Sequence, residues 1–281
     1  MALRRQLIPW RAAGTRTEMR RNADEVVRDT GWVFNNQTGS SLTLEEFVKT
    51  GDAEVDVYLD RFGWVDLAPR SSVLEIGSGI GRMTAALTRV FSSVIATDVD
   101  AAFLERCRET VSRFGRVNSL RTLHIADGSS INIGDDSVDA VFSYITLQHC
   151  KASDAMRLTT EAFRVVRPGG VVALNYRTWV PADVVLVPAG AVMRMLWKLP
   201  VVGDRLSQWR WSTRLGWQAN RLDPRRVLAL LGAANVELED VAILHHPGRP
   251  QRSVSFDGAT VAQRDLDVAN KSHWWLIARC R

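Results

Sequence analysis

The sequence predicts an α/β fold, a mostly parallel sheet covered by helices, with a helical extension ahead of it and a cap inserted within it. Three observations carry this. From Ser71 onward, short apolar runs alternate with stretches of helical periodicity. The first strand and helix are joined by a glycine loop, Gly77-Ser78-Gly79-Ile80-Gly81-Arg82. Residues 177–222 then interrupt the alternation with an apolar, basic segment that holds Trp179, Trp197, Trp209, Trp211 and Trp217, half of the chain's 10 tryptophans.

Residues 1–70 read as a helical extension. RTEMRRNADEVVRDT has few breakers, and LTLEEFVKTGDAEVDVYLDRFG places apolar residues at helical spacing, with Thr43 and Glu46 spaced as a capping box. Between them GWVFNNQTGSS reads as a loop. Residues 71–281 form the second unit, with 177–222 as its cap. SVLEI is the first strand and IGRMTAALTRVF the helix after it. SVIAT, LRTLHIA and SVDAVFSYI are the next strands, with AAFLERCRETVSRFG a helix stopped by Gly115. A helix over SDAMRLTTEAFRVV stops at Arg167-Pro168-Gly169-Gly170, and VVALNY is the fifth strand. After the cap, Asp223 and Pro224 supply an N-cap and a first-turn proline. NVELEDVAILHH and SHWWLIARC close the sheet.

Composition narrows the function. An apolar fraction of 46% over 281 residues suits one large domain or one domain with a cap. No charge-free run is long enough for a spanning helix, and MALRRQLIPW has no apolar core of a secretory signal. Three scattered cysteines give neither a disulfide framework nor metal-ligand spacing. The expectation is a reduced, cytoplasmic protein in which the sequence requires no metal, with use of a divalent ion left open. The net charge of +5 is concentrated: residues 1–21 carry six Arg against one Glu, and residues 177–226 carry nine basic residues against three acids. Such segments suit an anionic partner or a solvated surface equally.

The glycines point to a bound ligand. A glycine loop between strand and helix turns sharply, admits a ligand to the backbone and aims a helix N-terminus at it. The dinucleotide fingerprint G-x-G-x-x-G needs glycine where Arg82 stands, so a pyrophosphate ligand is poorly supported. Glu75 would repel a pyrophosphate but suits a zwitterionic or cationic group. Asp98 ends the second strand, where an acid can accept two bonds from a ribose diol, and Asp127-Gly128 follows the third, where an acid can read an adenine amino group. Amino acid, sulfonium, ribose and adenine together describe S-adenosylmethionine. Asp100 reads as a helix N-cap, and Asp135, Asp136 and Asp139 as turn and cap residues.

With VLEIGSGIGR, the acid of ATDVD, IADGSSINIGDDSVDAVFS and RVVRPGGVVAL in this order, the chain resembles the class I S-adenosylmethionine-dependent methyltransferases. The resemblance implies a Rossmann-like, seven-stranded, mostly parallel sheet with an antiparallel last strand. It implies that Glu75, Gly77, Ser78, Gly79, Gly81 and Arg82 lie in or beside the methionine loop, that Asp98 binds the ribose with Val99 beside the adenine, that Asp127 and Gly128 read the adenine edge, and that Ser143 faces the methionine amino group.

Methyl transfer to a hydroxyl needs alignment and a base. In YITLQHC, which follows the fourth strand, His149 is the candidate base; its alternative is to pack the next helix. Tyr144, Gln148 and Trp179 are candidate acceptor residues, while His245 and His246 are expected to serve loop structure. SYITLQHC with GWVFNNQTG and EEFVKTG also resembles a bacterial subgroup acting on surface glycans and small metabolites, which implies an acceptor hydroxyl on a sugar, a lipid-linked glycan or another small molecule. Nitrogen or carbon methylation, and a cofactor-binding protein without catalysis, are the alternatives. FSYI replaces the D/N-P-P-Y/F run of amino-group and base methylation, so no nucleic-acid substrate is expected. The segment at 181–203 is open to a lid, a homodimer interface or a peripheral membrane contact.

Overall fold

The computed structural model describes residues 22–30, 42–207, 209–216, 220–246, 256–267 and 273–281. Strands β1 (Ser72–Ile76), β2 (Ser93–Asp98), β3 (Leu120–His124), β4 (Val138–Ser143), β5 (Val166–Arg177), β6 (Leu238–His246) and β7 (His273–Cys280) form one seven-stranded sheet. Their order is β3-β2-β1-β4-β5-β7-β6. The first five strands pair parallel, and β7 runs antiparallel to both β5 and β6. Winding proceeds from β1 toward β2 and β3, then reverses to β4 and β5. The switch point therefore lies between β1 and β4, the place where open α/β sheets bind ligands beyond the carboxyl ends of their strands.

Helices α1 (Ala23–Thr30) and α2 (Leu44–Phe62) precede the sheet. The expected capping box starts α2: Thr43 accepts from the Glu46 N–H and the Glu46 side chain reaches back to the cap, while Gly63 ends the helix at φ 70°. Tyr58 and Phe62 of α2 pack on Trp275 of β7 at ring-centroid distances of 4.7 and 5.0 Å. The extension thus covers a sheet face. The expected first helix from Arg16 and the loop at 31–41 lie partly or wholly outside the described residues.

The helices α3 (Thr84–Val90), α4 (Ala101–Phe114) and α5 (Ala152–Val165) alternate with the strands. Two boundaries differ from the sequence reading. Helix α3 starts at Thr84 rather than Ile80, because Gly79 and Gly81 hold φ of 55° and 92° and keep the chain in turns. Helix α5 does end at Val165, ahead of Arg167-Pro168-Gly169-Gly170, but β5 starts at Val166 rather than Val171: Val166 already pairs with Val138, and the register shift between Val138 and Ala140 absorbs residues 167–170. Asp139 is also not a turn or cap residue. It lies within β4, where it accepts from the Ser72 N–H and hydroxyl, each at 2.7 Å, and pairs with Arg167. Asp136, at φ 52°, and Asp135, paired with Arg164, do lie in the turn ahead of β4.

Within the cap run α6 (Asp183–Leu196), α7 (Val202–Ser207) and α8 (Arg210–Gly216). The cap helices meet one another at the Trp197 indole, which donates to the buried Ser212 hydroxyl at 3.0 Å. Helix α9 (Pro224–Ala233) follows, with the Asp223 side chain accepting from the Arg225 N–H. The main apolar core lies between the sheet and α5 and α9, around Leu74, Val141, Leu158, Phe163, Leu174 and Trp274.

Candidate active site

The glycine loop leaves β1 at the sheet centre. Its path is fixed by backbone bonds: the N–H groups of Gly77 and Ser78 both donate to the Thr97 carbonyl, at 2.8 and 2.9 Å. Gly77 holds φ 80°, and a Cβ there would lie 2.1 Å from Thr146 Cγ2. The loop therefore needs glycine for two reasons, its left-handed backbone and the close approach of the turn after β4. Thr146 donates its hydroxyl to the Gly77 carbonyl at 3.3 Å, so the two turns that flank the switch point are joined directly.

Two buried acids frame this loop. Glu75 accepts from the Thr84 hydroxyl at 2.6 Å. Burial pushes its carboxyl up to about 7, against the pull of Thr84 and Arg82. Asp98 accepts from the Gly79 N–H and the Asp100 N–H, both at 2.9 Å. Burial again dominates and raises it to about 6. Each Asp98 oxygen holds one backbone bond, which leaves capacity for a second donor such as a ribose hydroxyl. Asp100 caps α4 through the Ala102 and Phe103 N–H groups.

Asp127 and Gly128 follow β3. Asp127 accepts from the Ser130 hydroxyl and from the Ser129 and Ser130 N–H groups, and these bonds hold its carboxyl down at about 2. Gly128 turns the chain at φ 67°. Val99 is half exposed, with its carbonyl 3.1 Å from the His124 ring. Ser143, fully buried, donates to the Ile76 carbonyl at 3.0 Å and ties the ends of β4 and β1 together. Arg82 turns toward α2. It pairs with Glu54 at 2.6 Å and meets the Thr50 hydroxyl at 3.3 Å, so its side chain fastens the loop to the extension.

After β4, Ile145 takes φ 53°, a strained conformation for a β-branched residue, and a short turn over Leu147–His149 follows. Gln148 is buried. Its amide nitrogen lies 3.2 Å from His149 Nε2, and its Oε1 has no hydrogen-bond partner among the described residues. An orphaned buried acceptor beside the candidate base fits a ligand that brings a donor. Tyr144 stacks on Trp275 at 5.5 Å, and burial raises its hydroxyl to about 12, which keeps it neutral. The sequence did not mark Asn220, whose amide donates to the carbonyls of Leu147 and Cys150 at 2.6 and 2.8 Å and so fastens the cap to the His149 turn. Seventy residues separate these partners, and no local pattern announces them.

Trp179 is 52% exposed and lines a cavity of about 150 Å³ with Leu186, Val187, Arg194, Leu215, Asn220 and Arg221. His245 and His246 lie within β6, paired with Trp274 and His273, rather than in a loop after it, because pairing with β7 runs to the end of the segment; the His245 ring contacts the Asp265 carbonyl at 2.8 Å, and the His246 side chain and Trp217 lie outside what is described. Among the described residues, no three His, Cys, Asp or Glu side chains gather as a metal site.

The glycine loop after β1 and the acids after β2 and β3 thus meet at the carboxyl ends of adjacent parallel strands. Residues 74–174 match the family described as a methyltransferase domain. A carboxy-S-adenosyl-L-methionine synthase of Aliivibrio salmonicida is 32% identical over 111 residues, which are 38% of this chain and 45% of that protein. A malonyl-[acyl-carrier protein] O-methyltransferase of Methylococcus capsulatus is 29% identical over 135 residues, 46% of this chain and 43% of that protein. The matched regions thus span less than half the length of these relatives. The magnesium protoporphyrin IX methyltransferase of Synechocystis PCC 6803, solved with bound S-adenosylhomocysteine, shares the fold with a TM-score of 0.54 at 13% identity, over 92% of this chain and 98% of that one. Fold and site define a Rossmann-like methyltransferase domain. Residues 74–174 are a methyltransferase domain, its sheet is that of the class I S-adenosylmethionine-dependent enzymes, and S-adenosylmethionine is the cofactor of this domain.

Proposed function

We propose that the protein transfers a methyl group from S-adenosylmethionine to a hydroxyl oxygen of a small acceptor, a sugar, glycan or comparable metabolite. In this reading residues 71–281 are the catalytic unit, 1–70 an extension that buttresses the methionine loop, and 177–222 the acceptor cap. When bound, the cofactor supplies an electrophilic methyl on a positively charged sulfur. Asp98 accepts bonds from the ribose, Val99, Asp127 and Gly128 border the adenine, and Glu75, Gly77, Ser78, Gly79, Gly81 and Ser143 shape the methionine end. Arg82 acts there through its ion pair to Glu54. His149 removes the acceptor proton as the new carbon–oxygen bond forms, and Tyr144, Gln148 and Trp179 line the acceptor path.

The observation that carries the reading is the joining of the Gly77 loop, the His149 turn and the cap through Thr146 and Asn220. Nitrogen and carbon methylation of a metabolite remain the alternatives within catalysis, and cofactor binding without turnover the alternative outside it. Calorimetric titration with S-adenosylmethionine, S-adenosylhomocysteine and NADH tests the cofactor. We expect the first two to bind and Asp98→Ala to weaken them about tenfold or more, the cost of charged hydrogen bonds. Binding of NADH alone would overturn the reading. On an acceptor found by screening, His149→Ala is expected to lower kcat by about 10²–10⁴ with unchanged cofactor affinity, the usual worth of a general base. Unchanged kcat would remove His149 from the chemistry.

The cap has an exposed apolar face. Val184, Val185, Val192 and Met195 of α6 are 71, 69, 56 and 67% exposed, with Lys198 and Arg205 exposed beyond them. We read this face as a peripheral membrane contact of a cytoplasmic protein through residues 181–203, with a homodimer interface that would cover the same face as the alternative. No described helix is long and apolar enough to cross a membrane.

A further inference from the structure

The cavity beside the cap is arginine-rich out of proportion to its acids. Asp183 is completely buried and fully engaged. Its Oδ1 takes Arg221 at 2.8 Å and Arg177 at 3.3 Å, and its Oδ2 takes the Val180 N–H at 3.0 Å. One carboxylate therefore serves two guanidinium groups. Arg194, half-buried on α6, donates to the Gly216 carbonyl at 3.2 Å, and among the described residues no acid forms an ion pair with it. Among the described residues, ion pairs set one aspartate, Asp183, against two of these three arginines. Burial and the neighbouring Arg221 both disfavour the Arg194 charge. Partly buried like charges that line one cavity are costly unless an anion joins them.

The position of the charge matters as much as its sign. Arg194 and Arg221 line the same cavity as Trp179 and Asn220. Asn220 also bonds the His149 turn, accepting no slack: its N–H donates to the Gln148 carbonyl at 3.2 Å. An anion held by Arg221 is thus one residue along the chain from the segment that braces the candidate base. The Arg221 fork is fixed by Asp183 before any ligand arrives, which suits planar recognition of carboxylate or phosphate oxygens.

We propose that the acceptor carries an anionic head, phosphate or carboxylate oxygens, gripped by Arg194 and Arg221 between α6 and residues 220–221, with Trp179 covering the adjoining apolar part. This rests on the reading of the cap as the acceptor side of a methyltransferase, and it names the acceptor's chemical class. It also gives a role to the basic excess in residues 177–226.

The test is calorimetric titration of the full chain, saturated with S-adenosylhomocysteine, using sodium pyrophosphate and sodium citrate as probes. Binding of pyrophosphate assigns the head to phosphate, and binding of citrate assigns it to carboxylate. Arg194→Gln is expected to weaken the bound probe about tenfold, one charge-assisted bond, while Arg194→Lys retains most of the affinity. A melting curve on each variant confirms that it folds, and S-adenosylhomocysteine affinity is expected to stay unchanged in both. No binding of either probe, or equal binding by wild type and Arg194→Gln, would overturn the proposal. Failure of the wild type to bind S-adenosylhomocysteine, with the arginine effect intact, would instead sink the methyltransferase reading and leave the anion pocket standing.

Discussion

Glu75 and Asp98 are carboxyls whose burial opposes their charge, and this has a consequence for stability. A folded-state value raised above the ordinary one means that the fold prefers the neutral acid. The contribution is fully present below the ordinary carboxyl value of 4.5 and is lost as pH rises through about 7 for Glu75. Asp98 acts in the same direction over a lower window, from 3.8 to about 6. Glu75→Gln removes the charge yet keeps an acceptor for Thr84. We expect it to be more stable than wild type by about 1–3 kcal/mol near pH 7.5, with the gain fading toward about pH 4.5. Urea unfolding at the two pH values measures this, and a pH-independent difference would contradict it. The acids and glycines were legible because one short segment sets them all. Thr84 and Thr146 were not, since a threonine carries no pattern until the fold supplies its partner.

At the scale of elements, the crossing of α2 over the methionine loop is unusually close. A Cβ on Gly51, mid-helix in α2, would lie 2.2 Å from the Arg82 carbonyl. Glycine to alanine inside a helix ordinarily gains about 0.5–1 kcal/mol. Here the sign should reverse: Gly51→Ala forces α2 off the loop, strains the Arg82–Glu54 pair and costs about 1–3 kcal/mol, as overpacking does. Chemical denaturation reads the sign directly. Helix α2 itself was evident from its periodicity and capping box. Its role as a clamp on the loop was not, because the contact depends on the 30 residues between Gly51 and Arg82 folding back. Strand β5 shows a different case. Pro168, Gly169 and Gly170 advertise a turn, and the chain keeps it as an irregularity inside the strand: Gly169 holds φ 77°, and residues 167–170 fall between the pairs Val138–Val166 and Ala140–Val171.

For the whole molecule, strand and helix alternation was enough to anticipate a parallel sheet, while the strand order came only with the structure. The cap resisted reading most, since its helices meet through Trp197 and Ser212 and it is tied to the His149 turn through Asn220, rather than through any repeat. Its exposed α6 face makes the last prediction. Flotation with vesicles containing anionic lipid should carry the wild type upward, and Val185→Asp with Met195→Asp should leave most of it behind, since each buried apolar side chain is worth about 1.5–3 kcal/mol. Equal flotation would mean that another surface makes the contact.

The sheet order also bears on how the chain is made. Strand β7 is the last of the seven strands to be synthesised, yet it sits between β5 and β6 and bonds to both. Until residues 273–280 emerge, β5 lacks its neighbour and β6 has no place in the sheet. Trp275, the ring on which Tyr58, Phe62 and Tyr144 rest, is missing too. Vectorial synthesis therefore holds a nearly finished domain open with an unpaired edge, the state most prone to aggregate. Closure waits for one eight-residue strand that must enter an interior slot, a step that a holding chaperone would protect.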